Sequence, residues 1–231
     1  MTPEEREGSI RKYRRHAAGY DRSAQRTMAL RREVIGLLQL HPGDVVLDVG
    51  AGTGLSYEWL LAGVQPGGWV LAFEQSPDMF ARACDRAAAH GWHTDGEGAP
   101  LWHVCASAHE VQLPCAPDAI LFNYTHDILR SREALAHLLG QARPGARVAV
   151  AGMKFFPWWT GPLNLLPWLK NRPYNMRAAD MWSPWDRLAP WCEHWQRRSV
   201  HAGMGYVASG RLRSDLRERL RAPAAPAPGS G

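Results

Sequence analysis

Residues 45–60 read VVLDVGAGTGLSYEWL. The first five are apolar except for Asp48, as expected of a short strand in a parallel sheet whose two faces are both covered by helices. Glycines follow at 50, 52 and 54. The dinucleotide pattern G-x-G-x-x-G/A fails at Leu55, and the phosphate loop G-x-x-x-x-G-K-[ST] fails at the same position. What stands is G-x-G-x-G behind an acid-bearing strand. Such glycines permit positive φ and let the main chain approach a ligand closely. A helix beginning there aims N–H groups at that ligand, which can be a carboxylate as readily as a phosphate.

Moving outward, strand and helix patterns alternate. Residues 54–63 read as helix, QPGG turns, and WVLAFE (69–74) is a second strand. Ser76-Pro77 opens a helix running to about His90. LWHVCA (101–106) and DAILFNY (118–124) give a third and a fourth strand. Ser131 caps the next helix, and RVAVAGM (147–153) is a fifth strand. Strands separated by helices imply a right-handed, doubly wound sheet. Upstream, Thr2, Pro3 and Glu5 mark a helix start, and Ser23 caps a second helix with an apolar face through Val34 and Leu38.

After residue 153 the alternation stops. Residues 154–195 hold seven tryptophans and six prolines, so they do not form a regular unit of strand and helix. Residues 197–211 read as two short strands forming a hairpin around Gly203 and Gly205. A charged helix and a low-complexity tail, APAAPAPGSG, complete the chain. The expected organisation is therefore N-terminal helices over 1–40, a core over 41–153, an aromatic lid over 154–196, a hairpin and helix over 197–221, and a disordered tail over 222–231.

The 231 residues suit one domain with an appendage. No apolar run is long enough for a membrane span, and the charged N-terminus has no apolar secretory core, so a cytoplasmic protein is expected. The four cysteines form no CxxC pair and no zinc-ligand cluster, so no metal is expected. The net charge of +5 concentrates at the two ends. A basic surface can meet nucleic acid or anionic lipid, yet no nucleic-acid-binding motif accompanies it, and 24 of the 27 basic residues are arginine.

The second strand ends in Glu74, 22 residues beyond Gly52. A carboxylate there suits a ribose diol, two acceptors meeting two donors. VLDVGAGTG, the acid in AFEQSPDM and ARPGARVAVAG before the fifth strand, taken in order, resemble class I S-adenosylmethionine (SAM)-dependent methyltransferases, in particular those acting on quinones, lipids and small molecules. The resemblance covers roughly residues 20–153. It implies an α/β, Rossmann-like, doubly wound seven-stranded sheet, mostly parallel, with a C-terminal antiparallel hairpin and an aromatic-rich insertion after strand five. It implies SAM as cofactor. Asp48 and the turn Gly50, Ala51, Gly52, Thr53 and Gly54 would wrap its methionine part. Glu74 would hold the ribose, Gln75 and Met79 would lie near the adenine, and Ser107 and Ala108 would meet the adenine edge. Many relatives carry an aspartate where this chain has Ser107. Tyr20 sits where relatives place a tyrosine that closes over the cofactor.

Ligands of open α/β sheets lie beyond the carboxyl ends of the strands, so Asn123 and Tyr124 should face the reacting end of SAM. His126 is either a general base or, with Asp127, a residue that caps or holds the loop. NYTH is not the NPPY motif of amide and adenine N-methyltransferases. Lys154 either meets an anionic acceptor or pairs locally. Phe156, Trp158, Trp159 and Tyr174 are candidates for an acceptor pocket. The leading reading is SN2 methyl transfer to a small hydrophobic or aromatic acceptor, where orientation does most of the work. One alternative is a SAM cyclase resembling azetidine-2-carboxylate synthases, which releases methylthioadenosine. Another is a non-catalytic SAM-binding or membrane-surface protein.

Overall fold

The computed structural model describes residues 27–94, 98–156, 158–165, 168–169 and 181–221. The helix expected after Thr2, the Ser23 cap, Tyr20, Tyr174 and the tail over 222–231 lie outside the described residues, as does the side chain of Trp158.

Among the described residues, seven strands form one sheet: β1 (Val45–Val49), β2 (Trp69–Glu74), β3 (Leu101–Cys105), β4 (Ala119–Asn123), β5 (Arg147–Met153), β6 (Cys192–Val200) and β7 (Gly205–Leu212). Their spatial order is β3-β2-β1-β4-β5-β7-β6. The first five run parallel, and β7 pairs antiparallel with both β5 and β6. The α-helices among the described residues are α1 (Met28–Gly36), α2 (Tyr57–Val64), α3 (Pro77–Ala89), α4 (His126–Leu129), α5 (Arg132–Gly140) and α6 (Leu216–Arg221).

Period-2 alternation divides the core between the two sheet faces. Leu47, Val49, Ile120, Phe122, Val148 and Val150 point to one face, beneath α5 and the segment that brings in Trp185, Leu188 and Trp191. Val46, Leu121, Ala149 and Ala151 point to the other, beneath α1 and α2. Burying a large aliphatic side chain contributes roughly 1.5–3 kcal/mol, and every residue of β4 is buried. Local signals start the helices. Pro77 occupies the first turn of α3, where the missing N–H costs no intrahelical bond. Ser131 caps α5, its hydroxyl accepting from the Ala134 N–H at 3.2 Å.

Two boundaries differ from expectation. The helix after the glycine turn begins at Tyr57 rather than at residue 54, because Gly54 still sits at positive φ. Strand β6 begins at Cys192, five residues before the expected hairpin. Most of β6 is exposed on this outer edge, so its sequence lacks the apolar alternation that marks a half-buried strand.

Candidate functional site

Gly50, Gly52 and Gly54 adopt φ of 62°, 61° and 74°, a region where a Cβ is strained. A Cβ on Gly50 would also lie 2.9 Å from Thr125 Cγ2, and one on Gly54 would lie 2.6 Å from the Tyr57 ring. Gly52 is different: its nearest neighbour would be Met79 Cε at 3.7 Å. Two of the glycines thus let the turn pack on the protein, and the third leaves room.

That room belongs to a cleft at the carboxyl ends of β1, β2 and β4. Gly50 and Gly52 form one wall; Phe73, Glu74, Gln75 and Met79 a second; Asn123, Tyr124, Thr125, Asp127 and Ile128 a third; Ala108 also contributes. Glu74 is fixed by the main chain. Its Oε2 accepts the Gly52 N–H at 3.0 Å and its Oε1 accepts the Ser76 N–H at 2.8 Å. Desolvation nevertheless pushes its pKa up to about 7, with the Asp127 carboxylate adding to the rise. Across the cleft, Asp127 accepts from Gln75 Nε2 at 3.3 Å, and burial raises its pKa as well. Asn123 is 7% exposed, and neither its amide oxygen nor its amide nitrogen has a hydrogen-bond partner among the described residues. Tyr124 sits at φ 62°, an uncommon conformation for a non-glycine residue, with its N–H donated to the Ala151 carbonyl at 2.9 Å.

Of the residues singled out from the sequence, Gly50, Gly52, Glu74, Gln75, Met79, Ala108, Asn123 and Tyr124 meet in this cleft. Others are elsewhere. Asp48 shares the sheet face of Val46, so it points beneath α1 and α2 rather than at the cleft. There Arg31 donates from Nη1 to Ser56 Oγ at 2.9 Å. Desolvation raises the Asp48 pKa to about 7 against the opposing pull of Arg31 and the Ser56 hydrogen bond. Ala51 is buried in the core on that face, its N–H tied to the Phe73 carbonyl at 2.9 Å. Thr53 is buried and its carbonyl accepts from Arg86 Nε at 2.8 Å. Ser107 is buried, its hydroxyl accepting the His109 N–H at 3.2 Å.

The general-base expectation for His126 is corrected by its surroundings. Its Nε2 accepts the Met153 N–H at 3.1 Å, which engages the lone pair that a base needs and leaves the ring proton on Nδ1. Desolvation lowers its pKa to about 4. The ring packs where a Cβ on Gly152 would stand, 2.6 Å from Cε1. His126 therefore ties the loop after β4 to the end of β5.

The aromatic segment is also redistributed. Trp159 is 71% exposed. Phe156 lies against Gly203. Phe155, beside it, is the buried one, with its ring edge-on to Trp182 at 5.0 Å. Lys154 donates to the Phe155 carbonyl at 3.4 Å, and desolvation and then the Arg197 charge lower its pKa. Trp185 is buried against Tyr206 at 4.8 Å, with the Arg197 guanidinium 4.0 Å above its ring. Sequence reasoning passed over Arg31, Ser56 and Thr125. It weighed Asp127 only as a cap or a loop support. No spacing rule connects Asp127 to Gln75, 52 residues earlier.

Comparisons bear on this arrangement. Residues 15–114 match the sequence family of protein-L-isoaspartate (D-aspartate) O-methyltransferases. No curated protein matches the chain. Among solved structures, a SAM-dependent methyltransferase from Aquifex aeolicus is 19% identical, the overlap covering 79% of this chain and 89% of that one with a TM-score of 0.55. An O-methyltransferase family protein from Burkholderia thailandensis is 18% identical over 84% of this chain and 57% of that one, with a TM-score of 0.60. The N-methyltransferase NodS from Bradyrhizobium japonicum, in complex with S-adenosyl-L-homocysteine, is 14% identical over 80% of this chain and 86% of that one, with a TM-score of 0.57. The chain has the fold of a class I SAM-dependent methyltransferase. Both the matched family and these structures are methyltransferases by description, and the last of them holds S-adenosyl-L-homocysteine.

The residues of this cleft fit SAM. Glu74 has used one acceptor position on each oxygen and keeps others for a diol. Asn123 offers a buried donor and acceptor that no described residue satisfies, a costly state for an amide without a ligand. Gly52 leaves the wall open at the point where a side chain would intrude. Among the described residues no group of His, Cys, Asp and Glu could hold a metal ion, and no helix is long and apolar enough to cross a membrane.

Proposed function

We propose that this protein transfers a methyl group from SAM to a small, hydrophobic or aromatic acceptor. The observation that carries the reading is the fixed Glu74 carboxylate facing the open glycine turn, with the unsatisfied Asn123 amide on the opposite wall. Glu74 would hold the ribose hydroxyls. Gly50, Gly52 and Asn123 would hold the amino-acid end. Met79 and Ala108 would supply apolar contact to the adenine. Bound there, SAM supplies an electrophilic methyl on a sulfonium.

The protein's own contribution is orientation. Tyr124 is held at the cleft by a strained backbone, and His126 fixes its loop to Met153. A 1 Å error in alignment of an SN2 reaction can cost about a hundredfold in rate. With the His126 lone pair engaged, the acceptor atom must be one that loses its proton without that residue. A phenol, thiol or amine meets this condition. The apolar surface of Phe155, Trp182 and Phe156 beyond β5 favours an apolar acceptor body.

The experiment is calorimetry followed by product analysis. The protein should bind SAM and S-adenosylhomocysteine. Glu74→Ala should weaken SAM by about a hundredfold, the scale of losing hydrogen bonds to a charged group together with a wall of the turn. A panel of phenols, thiols and amines should yield S-adenosylhomocysteine. Absence of binding to either nucleoside, or methylthioadenosine formed from SAM alone, would overturn the assignment.

A further inference from the structure

The charge balance of the cleft is not explained by ribose recognition. Glu74 and Asp127 stand on opposite walls of one partly desolvated space, and the Asp127 charge raises the cost of charge on Glu74. Among the described residues, no lysine or arginine lines that space. Glu74 has two main-chain N–H donors on its side-chain oxygens. Asp127 has a weaker set: a 3.3 Å contact from the neutral Gln75 amide and N–H groups of its own short turn. Arg130, one turn on, eases the Asp127 charge but does not line the cleft. Two carboxylates in one low-dielectric cleft repel each other, and a cationic ligand relieves both.

We infer that Asp127 selects the charge of the bound nucleoside, favouring the cationic sulfonium form over its neutral thioether counterpart. The inference rests on the cofactor reading above and extends it to specificity. SAM carries a sulfonium, an ammonium and a carboxylate, a net charge of +1; S-adenosylhomocysteine lacks the sulfonium and is neutral overall. Everything else about the two molecules is nearly the same, so shape cannot separate them well. A carboxylate on the cleft wall can. The device keeps product from competing with substrate for the site, since transfer of the methyl removes the charge that Asp127 attracts.

The test is calorimetry at pH 7.5 with three probes: SAM, S-adenosylhomocysteine, and an analogue carrying a protonated amine in place of the methylsulfonium. Wild type should bind both cationic probes more tightly than the neutral one. Asp127→Asn should lower the cationic-to-neutral affinity ratio by about tenfold, the scale of one partly screened unit charge at cleft dimensions. It should leave the neutral probe within about threefold, which also shows that the variant is folded. Asp127→Glu should keep most of the preference. Equal weakening of all three probes in Asp127→Asn would make the residue a wall or loop support and overturn the inference alone, as would an unchanged ratio. A wild-type protein that binds none of the probes would overturn the cofactor reading with it.

Discussion

The cleft between β1 and β4 and the aromatic segment beyond β5 use opposite building methods. In the cleft the main chain does the shaping: three glycines at positive φ, two N–H groups on Glu74, a tyrosine at φ 62°. Beyond β5 the side chains do it, and residues of one type meet different fates. Trp185 and Trp191 are buried in the core at 8% and 9% exposure, while Trp159 and Trp182 stand 71% and 43% exposed. A backbone turn is specified by a few adjacent residues. A tryptophan is specified only by the surface it happens to meet.

Trp185→Ala tests the side-chain half most severely. It removes a ring packed between Tyr206 and the Arg197 guanidinium and should cost about 3–4 kcal/mol in urea or thermal unfolding. A loss below about 1 kcal/mol would mean that this segment is not part of the core.

The pH dependence of stability sharpens the cleft half. Asp48 and Glu74 have folded pKa values raised to about 7. The stability linked to them is present at low pH and is lost as pH rises from their ordinary range near 4 through 7, where the folded state binds more protons. His126 works the other way: with its pKa lowered to about 4, its contribution is present above 6.5 and is lost as pH falls through 4. Asp48→Asn should therefore gain stability relative to wild type between pH 4.5 and 7.5, whatever its offset from losing the carboxylate beside Arg31. The gain should be on the order of 1–3 kcal/mol across that window. A difference that stays flat with pH would show Asp48 to be ordinary. His126→Gln should have the opposite slope.

The smallest effect belongs to Trp159. Trp159→Ala should change stability by less than about 0.5 kcal/mol, as expected of an exposed ring away from the core. If the same variant lowers kcat/KM for an apolar acceptor without moving Tm, the exposed ring meets substrate. If neither changes, the acceptor is held by the Phe155 and Trp182 side of the segment.

Much of the fold was legible because its signals are local. WVLAFE and RVAVAGM coincide with β2 and β5, Pro77 opens α3 and Ser131 caps α5. Glu74 could be placed opposite the glycine turn because parallel neighbours in register, Val49 with Phe73, bring the next residue of β2 to that height. The start of β6 was hidden because an exposed edge strand carries no apolar rhythm. Asp48 was assigned to the ligand because its spacing is right. A side chain one residue along a strand points to the other face, and only the packed positions of α1 and α2 reveal that Arg31 and Ser56 are its neighbours. His126 could be read as a base or a brace, and the partner that decides between them, the Met153 N–H, is 27 residues away.

The sequence by itself determined the alternating architecture, the glycine turn and the acid that faces it, because each depends on short-range periodicity and on conformations open chiefly to glycine. Tertiary structure decided which carboxylates share the cleft, which histidine nitrogen remains open and which tryptophans become core. Those outcomes depend on desolvation and on contacts between residues far apart in the chain, and neither is written in any local stretch.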